Sequence, residues 1–351
     1  MSSCTETHLT EGAQRTAASF LHRGKDFVLC RFPGEPFSLF AREGDRSAEV
    51  CFRIKPGGAG PAFDLFPLRE ISSEDETGAT ADLFFEKPPE APTDFEAYAS
   101  GFALLSKAFT RKIARKVVLS RVKHATLPEN FDPLYFFERV AEAYPGALVS
   151  LTASRARGIW IGASPEVLLR TEGNTLITHS LAGTRAAASD VPWGQKEREE
   201  QELVSRHIRT VLMRKGAEDV SEDEPQTFGA GPVEHLLTTF RFSAKENTVA
   251  LIDALHPTPA VSGLPVQAAE ELIMRAEPHD RGLYTGYLGR LGKGPKTIAE
   301  TALYVNLRCM HLGRETAAIY TGGGITAASV LRDEWEETEK KALTLTKLLD
   351  D

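Results

Sequence analysis

The sequence contains few cysteines, and they are widely separated. The four are Cys4, Cys30, Cys51 and Cys309, in a chain of 351 residues. They form neither a CxxC pair nor another spacing typical of a metal site. This distribution argues against a disulfide-stapled scaffold and predicts a protein of a reducing compartment.

Long apolar runs are also missing. No stretch approaches the roughly 18 apolar residues that a membrane-spanning helix needs. The first residues, MSSCTETHLTEGAQRT, have neither the basic start nor the apolar run of a signal peptide. We therefore expect a cytosolic protein that does not associate with membranes.

Basic residues are not concentrated anywhere, and the net charge is −8. Both properties argue against a nucleic-acid binder. Hydrophobic content of 42% and charged content of 26% are ordinary for a soluble globular protein. The length suits one large α/β domain or two smaller ones. Nothing in the sequence demands an oligomer, so we expect a monomer.

Periodicity and turn residues give a coarse map of the elements. Residues 1–92 are predicted to be a framing region of short strands. A helix is expected from Phe95 to about Ala114, capped by Thr93 or Asp94. Further helices are predicted at 132–144, 194–215, 248–255 and 266–276, and near the C-terminus after Gly324. Strands are predicted at 27–32, 37–40, 49–54, 115–121, 147–153, 158–162, 167–171, 174–181, 233–243 and 299–309. Residues 281–287 are predicted to open a further strand, and a short apolar strand at Tyr320 is predicted to run into three glycines.

Two of these helices carry paired carboxylates on the face that also carries apolar residues. In the last helix Glu334, Glu337 and Lys341 share a face; in the helix that follows Gly194, Glu197 and Glu200 do so. A simpler interpretation of the last helix is an acidic first turn that complements the helix dipole, with Asp333 as its cap. Inward-facing carboxylates need a compensating cation, however, and oxygen-only ligands without a His/Cys cluster favour Mg²⁺ over zinc.

Two single residues are candidates for acid–base chemistry. Lys116 begins an apolar strand, where it is either a snorkelling edge residue or a desolvated base. Glu166 follows Pro165, which cannot donate to a strand ladder, so its carboxyl either projects into a cleft or lies on a solvated loop.

Three other segments could line a site. Residues 182–185 are predicted to form a tight turn with exposed backbone N–H groups. Proline stiffens the loop His256–Pro265 into a positioned wall. Arg308, at the end of the predicted strand 299–309, could hold a carboxylate or form a surface ion pair.

Together these motifs resemble the chorismate-utilising enzymes, the family of isochorismate, salicylate, anthranilate and aminodeoxychorismate synthases. The resemblance covers residues 116–341 in the family's order, whereas residues 1–110 match only in general character. The motifs that carry it are KVVLSR (116–121), GASPEVLLR (162–170), LAGTR (181–185), KEREEQELV (196–204), LHPTPAVSGLP (255–265), RGLYTG (281–286), LRC (307–309), YTGGGI (320–325) and EWEETEKK (334–341).

The resemblance implies an α/β fold of the α+β type, with two packed, largely antiparallel sheets flanked by helices and the site between them. It implies one chorismate-binding catalytic domain over 1–351, in which 1–92 is variable and 93–351 carries the motifs. It also implies that Glu200 and Glu334 bind Mg²⁺, with Glu197 and Glu337 as further ligands or supports. The residues expected to bind the substrate chorismate are Gly183, Thr184, His256, Thr258, Tyr284, Arg308, Gly322, Gly324 and Lys341.

Lys116 indicates which branch of the family is involved. Family members that add ammonia usually have glutamine at this place, and a lysine is typical of those that add water. Lys116 would take a proton from water attacking C2, and Glu166 would protonate the departing C4 hydroxyl. This chemistry requires a neutral lysine beside a protonated carboxyl in a dry site.

The resemblance favours an isochorismate synthase that supplies menaquinone or catechol-siderophore synthesis, and both pathways fit. The alternative is a salicylate synthase, which also eliminates pyruvate; the loop LHPTPAVSGLP is closer to the isochorismate synthase form.

Two places depart from the family pattern: Gln201, where the family commonly has histidine, and residues 186–188, which are Ala-Ala-Ala. A magnesium-dependent phosphohydrolase would explain the acidic helices but not Lys116, Glu166 or Arg308, and a non-catalytic relative would leave every proposed catalytic group without a role.

Overall fold

The structure, a computed structural model, describes residues 9–58, 60–68, 84–85, 89–188, 190–244, 248–292 and 300–349. The helices in these ranges are α1 (Glu11–His22), α2 (Phe95–Thr110), α3 (Pro133–Ala143), α4 (Gln195–Arg214), α5 (Thr248–Leu255), α6 (Val266–Ala276) and α7 (Leu331–Thr346). The strands are β1 (Phe27–Arg31), β2 (Phe37–Ala41), β3 (Val50–Lys55), β4 (Phe63–Pro67), β5 (Lys116–Thr126), β6 (Leu148–Ser154), β7 (Gly158–Ser164), β8 (Val167–Glu172), β9 (Thr175–Ala186), β10 (Glu218–Glu222), β11 (Gln226–Ala230), β12 (Val233–Ser243), β13 (Gly263–Leu264), β14 (Tyr287–Gly292), β15 (Ala302–Val305), β16 (Cys309–Leu312) and β17 (Thr316–Thr326). None of the described helices is long and apolar enough to cross a membrane.

The strands form two antiparallel sheets. The first has the order β2–β1–β6–β7–β16–β17–β5–β13. The second runs β4–β3–β14–β15–β8–β9–β12, and β10 and β11 both pair with the outer side of β12. Because β4 also pairs briefly with β2, the hydrogen-bond ladder continues from one sheet into the other.

The two sheets pack face to face, and the helices cover their outer faces. An apolar cluster containing Phe52, Trp160, Tyr304 and Tyr320 fills the space between the sheets. Helices α1, α3 and the end of α7 pack on the first sheet, and α4 and α5 pack on the second. Helices α2 and α6 cover β5 and β17. This arrangement confirms the predicted fold class.

Local sequence explains several element boundaries. Asp94 caps α2 by accepting a hydrogen bond from the Ala97 amide, as predicted. Asp132 caps α3, and Pro133 occupies the first helical turn, where its missing N–H costs nothing. In α7 the expected cap Asp333 is wrong: the helix begins after Val330, whose side chain makes no capping hydrogen bond.

Two predicted elements differ from the structure. The predicted strand 299–309, of which residue 299 lies outside the described ranges, is two strands separated by residues 306–308, with Arg308 at φ 49°. The predicted turn at 182–185 is instead part of β9. Gly183, at φ 71°, forms a bulge there, because Thr184 faces His235 while Ala182 faces Leu236. Helix α1 and strands β4, β10, β11 and β13 were not predicted.

A buried ion pair joins β5 to the loop that precedes β13. Arg281 donates to both oxygens of Glu277, at 2.8 and 2.6 Å, and also to the carbonyls of Val118 and Val261. Glu277 in turn accepts the amide hydrogen of Ser120 at 2.7 Å. The pair therefore fixes the strand that begins at Lys116 against the loop 256–265.

We expect Arg281→Met to destabilise the fold by about 3 kcal/mol or more, because it leaves the Glu277 carboxylate buried and unpaired. The measurement is the free energy of unfolding from urea titrations followed by circular dichroism. Arg332→Met is the matched control: Arg332 also pairs with a glutamate four residues away, but in solvent, so its loss should cost no more than about 0.5 kcal/mol. Equal losses in both variants would contradict a structural role for the buried pair.

Candidate active site

A partly open cavity lies between the two sheets and is bordered by α4 and α7. Nine of the predicted site residues line it: Glu166, Gly183, Thr184, Glu200, Tyr284, Arg308, Gly322, Gly324 and Lys341. Six other predicted residues do not line it: Lys116, Glu197, His256, Thr258, Glu334 and Glu337. The chain thus brings residues from β9, α4, β17 and α7, and from three loops, to one place.

Lys116 lies behind the cavity wall at the start of β5. Its side chain is 1% exposed, so the interpretation as a snorkelling surface lysine is wrong. The backbone is held on both sides, by Leu264 of β13 and Thr326 of β17. Its Nζ lies 2.9 Å from Oε1 of Glu200, which lines the cavity. Lys116 is therefore a buried cation whose partner is a carboxylate at the site.

Glu166 is fully buried rather than on a solvated loop. Burial raises the pKa of its carboxyl to about 8, although Lys116, Arg308 and Thr258 act in the opposite direction. Its Oε1 has no hydrogen-bond partner within the described part of the chain. At neutral pH the carboxyl is mostly protonated and can donate a proton into the cavity.

The carboxylates of α7 meet the glycines of β17. A Cβ placed on Gly323 would lie 2.9 Å from Oε2 of Glu334 and 3.5 Å from Oε1 of Glu337, and one on Gly324 would overlap Glu200. Burial and then the charge of Glu337 raise the pKa of Glu334. Three carboxylates thus converge on two neighbouring glycines.

These residues fit a magnesium ion. Among the described residues no three His, Cys, Asp or Glu side chains are already gathered into a metal-binding group. Mg²⁺ commonly uses only one or two protein carboxylates, with water and substrate completing the octahedron. Oε2 of Glu334 is buried without a hydrogen-bond partner in the described structure, which leaves it available as a ligand. The carboxylate of Glu197 lies apart, turned toward Gly194 at the start of α4.

Arg308 is positioned by a histidine that the sequence did not indicate. Nδ1 of His235 lies 2.9 Å from the Gly183 carbonyl, which can only accept, so Nδ1 carries the proton. Nε2 therefore accepts from the Arg308 guanidinium, at 2.8 Å. Burial and the Arg308 charge hold the pKa of His235 well below its ordinary value, which keeps the ring neutral. Alternation along β12 gives no signal of this contact, because the two residues are 73 positions apart.

Tyr284 and Lys341 complete the wall next to the glycines. The Tyr284 hydroxyl would lie 3.0 Å from a Cβ on Gly322. Lys341 donates to the Gly322 carbonyl at 2.8 Å and pairs with Glu337 at 2.6 Å. Arg308 and Lys341 therefore place two cations, and Tyr284 a hydroxyl, around the part of the cavity bordered by Gly322.

Two predicted substrate-binding residues lie further back. Thr258 is buried, and its side chain lowers the pKa of the Glu166 carboxyl. His256 packs edge-on against Tyr287, with ring centroids 5.1 Å apart, and burial lowers its pKa to about 4. Its role in binding substrate stays a prediction.

The two departures from the family pattern have different settings. Gln201 is buried and donates to Thr238 at 2.7 Å and to Ser205 at 3.0 Å, so it joins α4 to the second sheet. Residues 186 and 187 are exposed, and Ala188 has a positive φ of 54°. The first departure supports the position of α4, and the second lies at the surface.

The fold and the cavity thus place a cluster of carboxylates and cations between two antiparallel sheets. A family model described as chorismate binding enzyme matches residues 70–350. The chain belongs to this family.

Relatives in sequence agree with this assignment. The isochorismate synthase EntC of Escherichia coli K12 is 33% identical over 242 residues, which are 66% of this chain and 61% of that protein. The putative isochorismate synthase MenF of Mycobacterium tuberculosis H37Rv is 34% identical over 257 residues, 66% of either chain. The chain thus spans slightly less than two thirds of the length of these relatives.

Solved structures share the fold at lower identity. The menaquinone-specific isochorismate synthase MenF from Escherichia coli matches with a TM-score of 0.77 at 19% identity, covering 98% of this chain and 92% of that one. The putative 2,3-dihydroxybenzoate-specific isochorismate synthase DhbC from Bacillus anthracis matches with a TM-score of 0.75 at 22% identity, covering 95% and 99%. At these identities the likeness concerns the fold alone.

Proposed function

We propose that the protein is an isochorismate synthase that converts chorismate to isochorismate with Mg²⁺. The observation that carries the proposal is that a buried carboxyl in the cavity lining and a buried lysine behind that lining lie near each other. Glu166 is a carboxyl held in its acid form, and Lys116 is a buried lysine close enough for its charge to act on that carboxyl. The names of the relatives in sequence support the same activity.

In the proposed reaction Lys116 takes a proton from a water molecule as its oxygen bonds to C2 of the ring. The ring double bond shifts, the bond between C4 and its hydroxyl oxygen breaks, and Glu166 gives its proton to that oxygen. One water enters and one leaves, so substrate and product have the same composition. Lys116 acts as a base only when neutral, so its ion pair with Glu200 must be broken before this step.

The remaining residues bind and orient the substrate. Glu200 and Glu334, supported by Glu337, would hold Mg²⁺, which would neutralise and orient a substrate carboxylate; the carboxylate of Glu197, turned toward Gly194, would have to rotate to join them. The second carboxylate is expected to lie against Arg308 and Lys341. The hydrogen bond from Nη2 of Arg308 to the neutral His235 fixes the plane of the guanidinium, and its other N–H groups can then bind a carboxylate.

Tyr284 would contribute a hydroxyl donor, and Gly322 and Gly324 would contribute close backbone approach. Gly183 and Thr184 would border the ring, with Thr258 and His256 behind them.

We further propose that the described sheets form a single catalytic domain, because β1–β4 from the first 92 residues pair directly with both sheets.

The test is to incubate the protein with chorismate and Mg²⁺ and to separate the products by chromatography. We expect isochorismate alone. Salicylate with pyruvate would replace the proposal with a salicylate synthase, and anthranilate formed with ammonia would refute the role assigned to Lys116. Phosphate release from phosphoesters without any change in chorismate would indicate a phosphohydrolase, and no reaction by folded protein would indicate a non-catalytic relative.

A further inference from the structure

Three lysines neutralise the carboxylate cluster in this structure. Lys116 pairs with Glu200 at 2.9 Å, and Lys341 pairs with Glu337 at 2.6 Å. The third pair, between Nζ of Lys196 and Oε1 of Glu334 at 2.8 Å, was not anticipated from the sequence. Each carboxylate that converges on the glycines of β17 therefore already has a cationic partner.

Lys196 differs from the other two lysines in its surroundings. Its side chain is 34% exposed, whereas that of Lys116 is 1% exposed and that of Lys341 is 8% exposed. Lys341 is also held by the Gly322 carbonyl. A released Lys196 ammonium can be hydrated at once, but either of the others would remain desolvated. Lys196 is thus the cation that can leave at least cost.

The pair also bridges two helices. Lys196 lies in the first turn of α4 and Glu334 in the first turn of α7, and each helix carries proposed magnesium ligands. The Lys196 charge attracts Glu337 and Glu200 as well as Glu334. A divalent cation entering this cluster would meet a positive charge bound to one of its own ligands.

We infer that Lys196 is a displaceable counter-ion: its ammonium competes with Mg²⁺ for Glu334 and thereby sets the metal affinity of the site. The inference rests on the proposed metal site and adds a residue that determines affinity without being a ligand. In the metal-free protein Lys196 keeps α4 and α7 together. When the cation binds, the ammonium moves into solvent.

The first test is isothermal titration of MgCl₂ into the protein without chorismate. Lys196→Met should bind Mg²⁺ roughly three- to tenfold more tightly than wild type, the size expected from removing one nearby, partly screened positive charge. Lys196→Arg keeps the charge and should remain near the wild-type affinity. Lys215→Met is the matched control, since Lys215 lies at the other end of α4, roughly 28 Å away at 1.5 Å per residue.

An affinity for Mg²⁺ in Lys196→Met that is equal to or weaker than that of wild type would overturn the inference. If the product assay yields isochorismate, such a result leaves the proposed function intact. If no variant binds Mg²⁺, the metal site and the inference both fail. Thermal unfolding of each variant verifies that the folded proteins are being compared.

A second test follows the displacement itself. Lysine acetylation by a water-soluble reagent, read by mass spectrometry, should label Lys196 in wild type faster when Mg²⁺ is present, because the freed amine becomes accessible. Labelling of Lys215 should be independent of Mg²⁺. Unchanged or slower labelling of Lys196 with Mg²⁺ would show that the ammonium is not displaced and would overturn the inference.

Discussion

Replacing Lys116 with glutamine is expected to lower the turnover of chorismate by about 10²- to 10⁴-fold, the usual contribution of a positioned general base. Water is a poor nucleophile, and no amide can take its proton. Glutamine has a similar length and keeps hydrogen-bonding capacity toward Glu200, so the wall of the cavity should persist. The affinity for chorismate, measured by titration calorimetry, should therefore remain within a few-fold of wild type. The affinity for Mg²⁺ should not fall, because the substitution removes a positive charge beside Glu200.

Lys123→Gln is the matched control for this experiment. Lys123 lies on the same strand, β5, and also pairs with a glutamate, but it is about one third exposed and far from the cavity. This variant should retain the wild-type rate. If Lys116→Gln keeps its rate within tenfold, the lysine is not the base; if it loses chorismate binding, its role is structural.

The second large effect concerns Glu166. The wild-type kcat/KM is expected to fall as the pH rises through about 8, because the raised pKa keeps the carboxyl in its proton-donating form only below that value. Glu166→Gln cannot give a proton and should lower the rate by about 10²- to 10⁴-fold. The residual activity should lack this alkaline decline. The measurement is a pH profile of initial rates under non-saturating chorismate.

Stability provides an independent check on the same carboxyl. In the folded protein Glu166 binds its proton more tightly than in the unfolded chain, so its contribution to stability is lost as pH rises toward about 8. Glu166→Gln removes this pH-dependent loss of stability. The unfolding temperature of the variant minus that of wild type should therefore increase as the pH is raised from 5 to 9. Glu172→Gln, at an exposed position on β8, is the control. It should leave the rate unchanged, and its unfolding temperature should follow that of wild type at every pH. A wild-type rate that does not change across pH 8 would show that Glu166 is not the acid.

Much of the site follows from helical periodicity in the sequence. The spacing of Glu334 and Lys341 predicts an inward face on α7, and both residues are buried there. The same reasoning predicts that Glu200 faces the site from α4. Periodicity identifies these residues because a regular helix relates each side chain to its neighbours by a fixed rotation.

Helical periodicity does not predict contacts between residues that are far apart in the sequence. The break between β15 and β16 is not visible in a sequence that alternates like one strand, although it is what directs Arg308 to the cavity. His235 holds this arginine through a contact set by the pairing of β12 with β9. Lys196 lies in the motif KEREEQELV, but its partner lies 138 residues further along the chain. Such contacts depend on how the two sheets are closed.

The glycines of β17 have a consequence for mutational tolerance. Gly322, Gly323 and Gly324 are absent from the residues with positive φ, so any amino acid could adopt their backbone conformation. Space alone restricts these positions: even the one added carbon of alanine would press on Tyr284, Glu334 or Lys116. The cavity thus exists because these three residues have no side chains. A substitution scan should find that alanine at these positions lowers activity by displacing Glu200, Glu334, Tyr284 or Lys116, although the alanine itself touches no reactant.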